Sequence, residues 1–162
     1  MNWRDRVSAI YAKLPRERET RPAFRTPASS PQIAELESKV GGSLPAALAE
    51  LLLETNGIMH ELKTQGEWIE TGWLVWPVES IAEWNLRARQ DWEADYDRYF
   101  EHLLFFADAG ADGILFAHPK RLGGEFAPEV VVWVPLGDEL SPFAPNLEAF
   151  LDGWVTGAIE IR

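Results

Sequence analysis

Leu103-Leu104-Phe105-Phe106-Ala107-Asp108-Ala109-Gly110-Ala111-Asp112-Gly113-Ile114-Leu115-Phe116-Ala117-His118 sets two short apolar runs on either side of a loop rich in Asp and Gly. Runs this short and this aromatic fit strands rather than helices. Glycine supplies positive φ without steric cost and Asp tolerates it, so the stretch predicts a β-hairpin. Just upstream, Val78 to about His102 reads as a helix, with Ile81, Trp84, Ala88 and Trp92 three or four residues apart. Trp68 to Pro77 is rich in β-formers and contains Gly72, which predicts strand, turn or bulge, then strand. Downstream, Val130 to Val134 has the continuous apolar character of a strand buried on both faces. Asn146 then caps a last helix carrying Leu147, Phe150, Leu151, Trp154 and Val155.

The N-terminal third is punctuated by capping residues. Ser29-Ser30-Pro31-Gln32 is a helix start, with Ser as the cap and Pro in the first turn. Ile33, Leu36 and Val40 form its inward stripe, and Gly41-Gly42 stops it. Leu44-Pro45 opens a second helix with Leu48, Leu51 and Leu52, closed by Asn56-Gly57. Before these, Trp3, Val7, Ile10, Tyr11 and Leu14 recur at helical spacing until Pro15. Pro15 to Pro31 is basic and broken by prolines, which predicts an extended connector. Helices, then strands with one helix inserted, then a helix give an α+β fold with a largely antiparallel sheet. One domain over 1–162 is expected, with 1–28 as N-terminal helix and connector and 29–157 as the main body.

Composition narrows the function classes. Fifteen Lys and Arg against 26 Asp and Glu leave a net charge of −11, which disfavours nucleic-acid phosphates and anionic membrane surfaces and suits a basic partner. The charge is uneven, because residues 1–25 hold seven basic and three acidic side chains, a net of +4. With no cysteine there can be no disulfide, thiol nucleophile or Cys-based zinc site. Apolar runs stop at five residues, far short of the ~20 that span a bilayer, so a cytoplasmic location is expected.

Catalytic and metal motifs are missing. A calcium loop starting at Asp108 would need ligands at its positions 3 and 12, where this chain has Gly110 and Pro119, so Asp108 to Gly113 reads as a turn. His60-Glu61 is followed by Thr64 where a metalloprotease helix needs its second histidine. No Gly-x-Ser-x-Gly occurs, and neither Gly41-Gly42 nor Gly123-Gly124 leads into a phosphate-binding Lys-Ser or Lys-Thr. One arrangement stays open: His118 beside Asp108 or Asp112, as in a small hydrolase or ligand-binding enzyme. The expectation is a protein that is not an enzyme and carries no cofactor and no metal.

The surface speaks more clearly. Asp91, Glu93, Asp95, Asp97 and Glu101 crowd eleven residues and alternate with Trp92, Tyr96, Tyr99 and Phe100. The commonplace reading is a solvated helix face. The functional reading is an acidic platform that steers a basic partner through Asp91, Glu93, Asp95 and Asp97, with Trp92 and Tyr96 as anchors. Of the clustered Trp68, Trp73 and Trp76, at least two are expected in the core.

Taken in order, Ile33-x-x-Leu36-Glu37, Leu44-Pro45, Leu51-Leu52, Asn56-Gly57, Trp76 with Ile81 and Asn85, the Leu104–Phe116 hairpin, Val132-Trp133, and Phe150, Leu151 and Trp154 resemble the SUKH superfamily. That superfamily includes the yeast Smi and Knr cell-wall-synthesis regulators and many bacterial relatives. The likeness runs over about residues 3–157 and rests on order and spacing, with no single diagnostic piece. Where the family hairpin usually reads Gly-Asp before its second strand, this chain has Ala111-Asp112-Gly113. The resemblance implies a sheet of about five or six strands flanked by helices, in a domain that binds protein; the tryptophans leave monomer or homodimer open. It implies an immunity protein that neutralises a cognate toxin, often a nuclease, or else a regulatory scaffold docking on signalling or cell-wall enzymes.

Overall fold

The computed structural model describes residues 1–91 and 100–161, with only the backbone of Asp91. Its elements run α1 (Trp3–Ala12), β1 (Thr20–Phe24), α2 (Ser30–Val40), α3 (Ala46–Glu54), β2 (Ile58–Thr64), β3 (Glu67–Val75), α4 (Val78–Asp91), β4 (Leu103–Asp108), β5 (Leu115–Pro119), β6 (Val130–Val134), β7 (Glu139–Ala144) and α5 (Leu147–Thr156). The class is α+β. The strands form two antiparallel sheets, β1-β2-β3 and β4-β5-β6-β7, rather than one sheet of five or six.

The hairpin at the centre of the sequence reading is β4–β5, with Leu104 opposite His118 and Asp108 opposite Leu115. Phe105, Phe106 and Phe116 lie fully inside the core that also takes Trp133, Phe150, Leu48, Leu51, Leu52 and Ile81. β4 is an outer strand, yet its free backbone is not left bare. Buried Asn85 of α4 donates from Nδ2 to Phe105 O (2.8 Å) and accepts Phe105 N–H on Oδ1 (2.9 Å). Trp76 N donates to Phe106 O at 2.8 Å and so carries the chain from β3 across to the second sheet. A side-chain amide thus replaces a neighbouring strand, meeting the requirement that buried backbone groups be paired.

Capping explains the helices. Ser29 and Gln32 form a reciprocal capping box at α2, and Gly41 closes that helix at φ 76°. Glu37 then accepts Leu44 N–H at 2.8 Å, tying the end of α2 to the start of α3. Asn56 accepts Val78 N–H (2.8 Å) and donates to Glu79 (2.9 Å), so it holds the first turn of α4.

Several expectations need correction. The Pro15–Pro31 connector contains β1, which pairs with β2 from Thr20↔Leu62 to Phe24↔Ile58. Pro22 is tolerated there because β1 is an edge strand and one side of it owes no ladder bond. The strand, turn or bulge, then strand expected over Trp68 to Pro77 is one strand, β3, which ends at Val75 and carries the bulge near Gly72. β2 and β7 were not foreseen, being mixed in polarity and short of the apolar runs that mark β4 and β6. Trp84 is 44% exposed, because the inward stripe of α4 is Ile81, Asn85 and Ala88. Of the three clustered tryptophans, Trp76 is buried, Trp73 packs partly against the core, and Trp68 stands at the surface between Arg21 and Lys63.

Candidate protein-binding groove

Of the acidic platform only the edge is described. Asp91 ends α4, and Trp92, Glu93, Asp95, Tyr96 and Asp97 lie outside the described residues. Arg89 is the last well-anchored side chain before them. Its guanidinium donates to Val40 O (2.9 Å), Phe100 O (3.4 Å) and Leu103 O (3.4 Å), joining the end of α2, the end of α4 and the chain entering β4. Burial draws its pKa below the ordinary arginine value, opposed by nearby Glu101.

The histidines do not make a catalytic set. His118 is fully enclosed, with its ring stacked 4.6 Å from Phe106. Its Nδ1 donates to Glu129 O at 3.0 Å. Since a carbonyl can only accept, Nδ1 holds the proton and Nε2 is an acceptor, buried with no hydrogen-bond partner among the described residues. Burial pushes its pKa down to about 4, although the carbonyl bond and Glu129 act the other way. The strand register separates it from the acids proposed for it, because Asp108 sits opposite Leu115 and His118 opposite Leu104. His60 shares a hydrogen bond with Tyr11 OH, and burial lowers the imidazole pKa and raises that of the phenol. His102 is exposed beside Glu101. Among the described residues, no three His, Asp or Glu side chains gather as a metal site would require.

What the fold does assemble is a groove. One wall is the tryptophan ridge: Trp76 and Trp84 stack with centroids 5.8 Å apart and planes 28° from parallel, and Trp73 extends the wall from β3. The opposite wall is the hairpin loop from Asp108 to Leu115, and the space between holds about 550 Å³. Asp108 fixes both walls, accepting Trp76 Nε1–H on Oδ2 and Gly110 N–H on Oδ1, each at 2.8 Å. Asp112 stands exposed at φ 58° on the loop rim. A second hollow of about 290 Å³ adjoins at Trp73, Asp108 and Gly110 and reaches His60, Arg18 and Thr20.

The sequence reading had these residues separately, as a turn and as core aromatics. It missed their meeting, since Trp84 has helical spacing with Ile81 and Ala88 but lies to one side of the stripe they define. The one usable signal was Asn85, a polar residue at the inward position next to it.

The profile of the SMI1/KNR4 family (SUKH-1) matches residues 27–153, from just ahead of α2 into α5. The chain belongs to this family, and so falls in the general class of immunity and regulatory domains. A search of curated proteins finds no match. Among the described residues no helix is long and apolar enough to cross a membrane.

Proposed function

We propose that this chain is a non-catalytic immunity domain of the cytoplasm, which binds a basic protein toxin and blocks it without cofactor or metal. The observation that carries this reading is the groove: exposed Trp84 stacked on buried Trp76, facing Asp108 and Asp112, on a chain of net charge −11. Tryptophan at a concave, partly solvated site is the side chain that most often anchors a protein interface. The acidic charge supplies steering, since a toxin that handles nucleic acid presents a basic face, and opposite charges raise association rates. Membership of the family supports binding in general, and the acidic segment from Asp91 to Asp97 adds to the same field.

The test is capture of partners from lysate on the immobilised chain at low and high salt, with identification by mass spectrometry. The proposal expects one basic protein with nuclease or other toxin features, depleted at high salt. Several envelope or signalling enzymes held at modest affinity would replace it with the regulatory-scaffold reading.

A further inference from the structure

We infer that the groove takes an arginine side chain presented by the partner, its guanidinium lying on the Trp76–Trp84 stack and paired with Asp112 at the rim. This rests on reading the chain as a protein-binding domain and says what the groove recognises.

The chain displays this recognition unit on its own surface. Arg21 lies 4.0 Å from the Trp68 ring centroid and pairs with Glu61, and Arg25 lies 5.0 Å from Trp73 and pairs with Glu70. Arg6 lies 4.9 Å from Trp3 and meets Glu148. In each case one guanidinium serves an indole face and a carboxylate together through its planar fork, whereas the Lys63 ammonium makes the same pair of contacts at longer range, 5.9 Å from Trp68 and 3.9 Å from Glu19.

The groove offers the same two receptors, the face of exposed Trp84 and carboxylates. Its described lining contains Asp108 and Asp112 and no base. Arg87 lies 6.0 Å from the Trp84 ring and is tied to Glu83, Arg25 lies on the Trp73 ring and is tied to Glu70, and neither is part of that lining. Asp108 spends one acceptor site of each oxygen on Trp76 and Gly110, which holds it rigid, and Asp112 projects from a loop whose glycines Gly110 and Gly113 also adopt positive φ. A cation entering here meets two negative charges and a tryptophan stack, and charge complementarity favours it over a neutral or acidic group.

The test is an NMR titration of the whole chain with capped glycyl-arginyl-glycine amide and with its citrulline and lysine counterparts. The indole N–H signals of Trp76 and Trp84 and the amides of Gly110, Asp112 and Gly113 are the readout. The arginine peptide is expected to shift these signals. Citrulline, which keeps the shape and loses the charge, should leave them in place, and lysine should bind more weakly. Asp112→Asn suits the same backbone, because Asn also tolerates positive φ, and should weaken arginine binding by about three-fold or more. Trp84→Ala, at an exposed position, should act in the same direction. Shifts elsewhere, equal binding of citrulline or lysine, no shift with arginine, or concentration-dependent dimers that cover Trp84 would each overturn the inference. If the peptide fails while the chain still captures a salt-sensitive basic protein, the inference falls and the proposed function stands. If the peptide binds and no protein is captured, it is the functional reading that fails.

Discussion

Asn85 and His118 are the two polar side chains whose burial does most to define this molecule. Asn85 answers both backbone groups of Phe105 and also donates to Ile81 O at 2.7 Å. Replacing it with Leu fills similar volume but strands a buried N–H and a buried C=O, a cost of about 2–4 kcal/mol. Chemical denaturation should register that loss as a lower midpoint with an unchanged slope. His118 acts through protons instead. Its folded pKa, about 4, lies below the ordinary value of 6.5, so between the two the unfolded chain binds more protons. Stability should therefore be fully present above about pH 6.5 and fall as pH drops towards 4, by at most about 1.4 kcal/mol per pH unit from this group. The lowered pKa of His60 adds to the fall in the same direction. Thermal melts across that range should show the slope, and His118→Gln, which can still donate to Glu129 O, should flatten it. An equally steep slope in that variant would assign the acid sensitivity elsewhere.

At the level of elements, junctions matter more than the helices and strands they join. Gly57 sits at φ 91° between α3 and β2, and a Cβ there would lie 2.9 Å from Pro77 N and 3.0 Å from Val75 O. Both neighbours are backbone, so Gly57→Ala should cost about 2 kcal/mol or more, measurable as a loss in melting temperature; no loss would mean that the α3–β2 junction yields. The junctions are also where the sequence was most legible. Ser29, Gly41, Asn56 and Asn146 announce their turns because capping chemistry is local, and the Leu103–His118 hairpin announces itself because an apolar run can lie in one short strand. β1 was hidden, since its pairing with β2 depends on residues some forty positions away, and Pro22 argues against a strand until its edge position is known. The split into two sheets was likewise unreadable, because it depends on Asn85 and Trp76 taking the place of a strand along β4. The groove shows the same limit. Each of its residues is visible in the sequence, but only the packing of α4 beside the hairpin brings Trp84 over to Asp112.

For the whole molecule the governing quantity is charge. At −11, with a basic N-terminal segment, the chain should associate with a basic partner at a rate that falls as salt is added, and dissociation should change far less. Changing Asp91, Glu93, Asp95 and Asp97 together to their amides should slow association and flatten its salt dependence; unchanged rates would remove that segment from the interface. Family membership sets the general class, and the −11 charge with the Trp76–Trp84 groove supports the narrower reading of toxin neutralisation. The most direct measurement is therefore growth of a host cell that expresses the captured basic partner, with and without this chain. Restored growth, in proportion to the chain supplied and reduced by Trp84→Ala with Asp112→Asn, is the predicted result. Growth that stays arrested while the two proteins bind, or a partner that harms no cell, would contradict it.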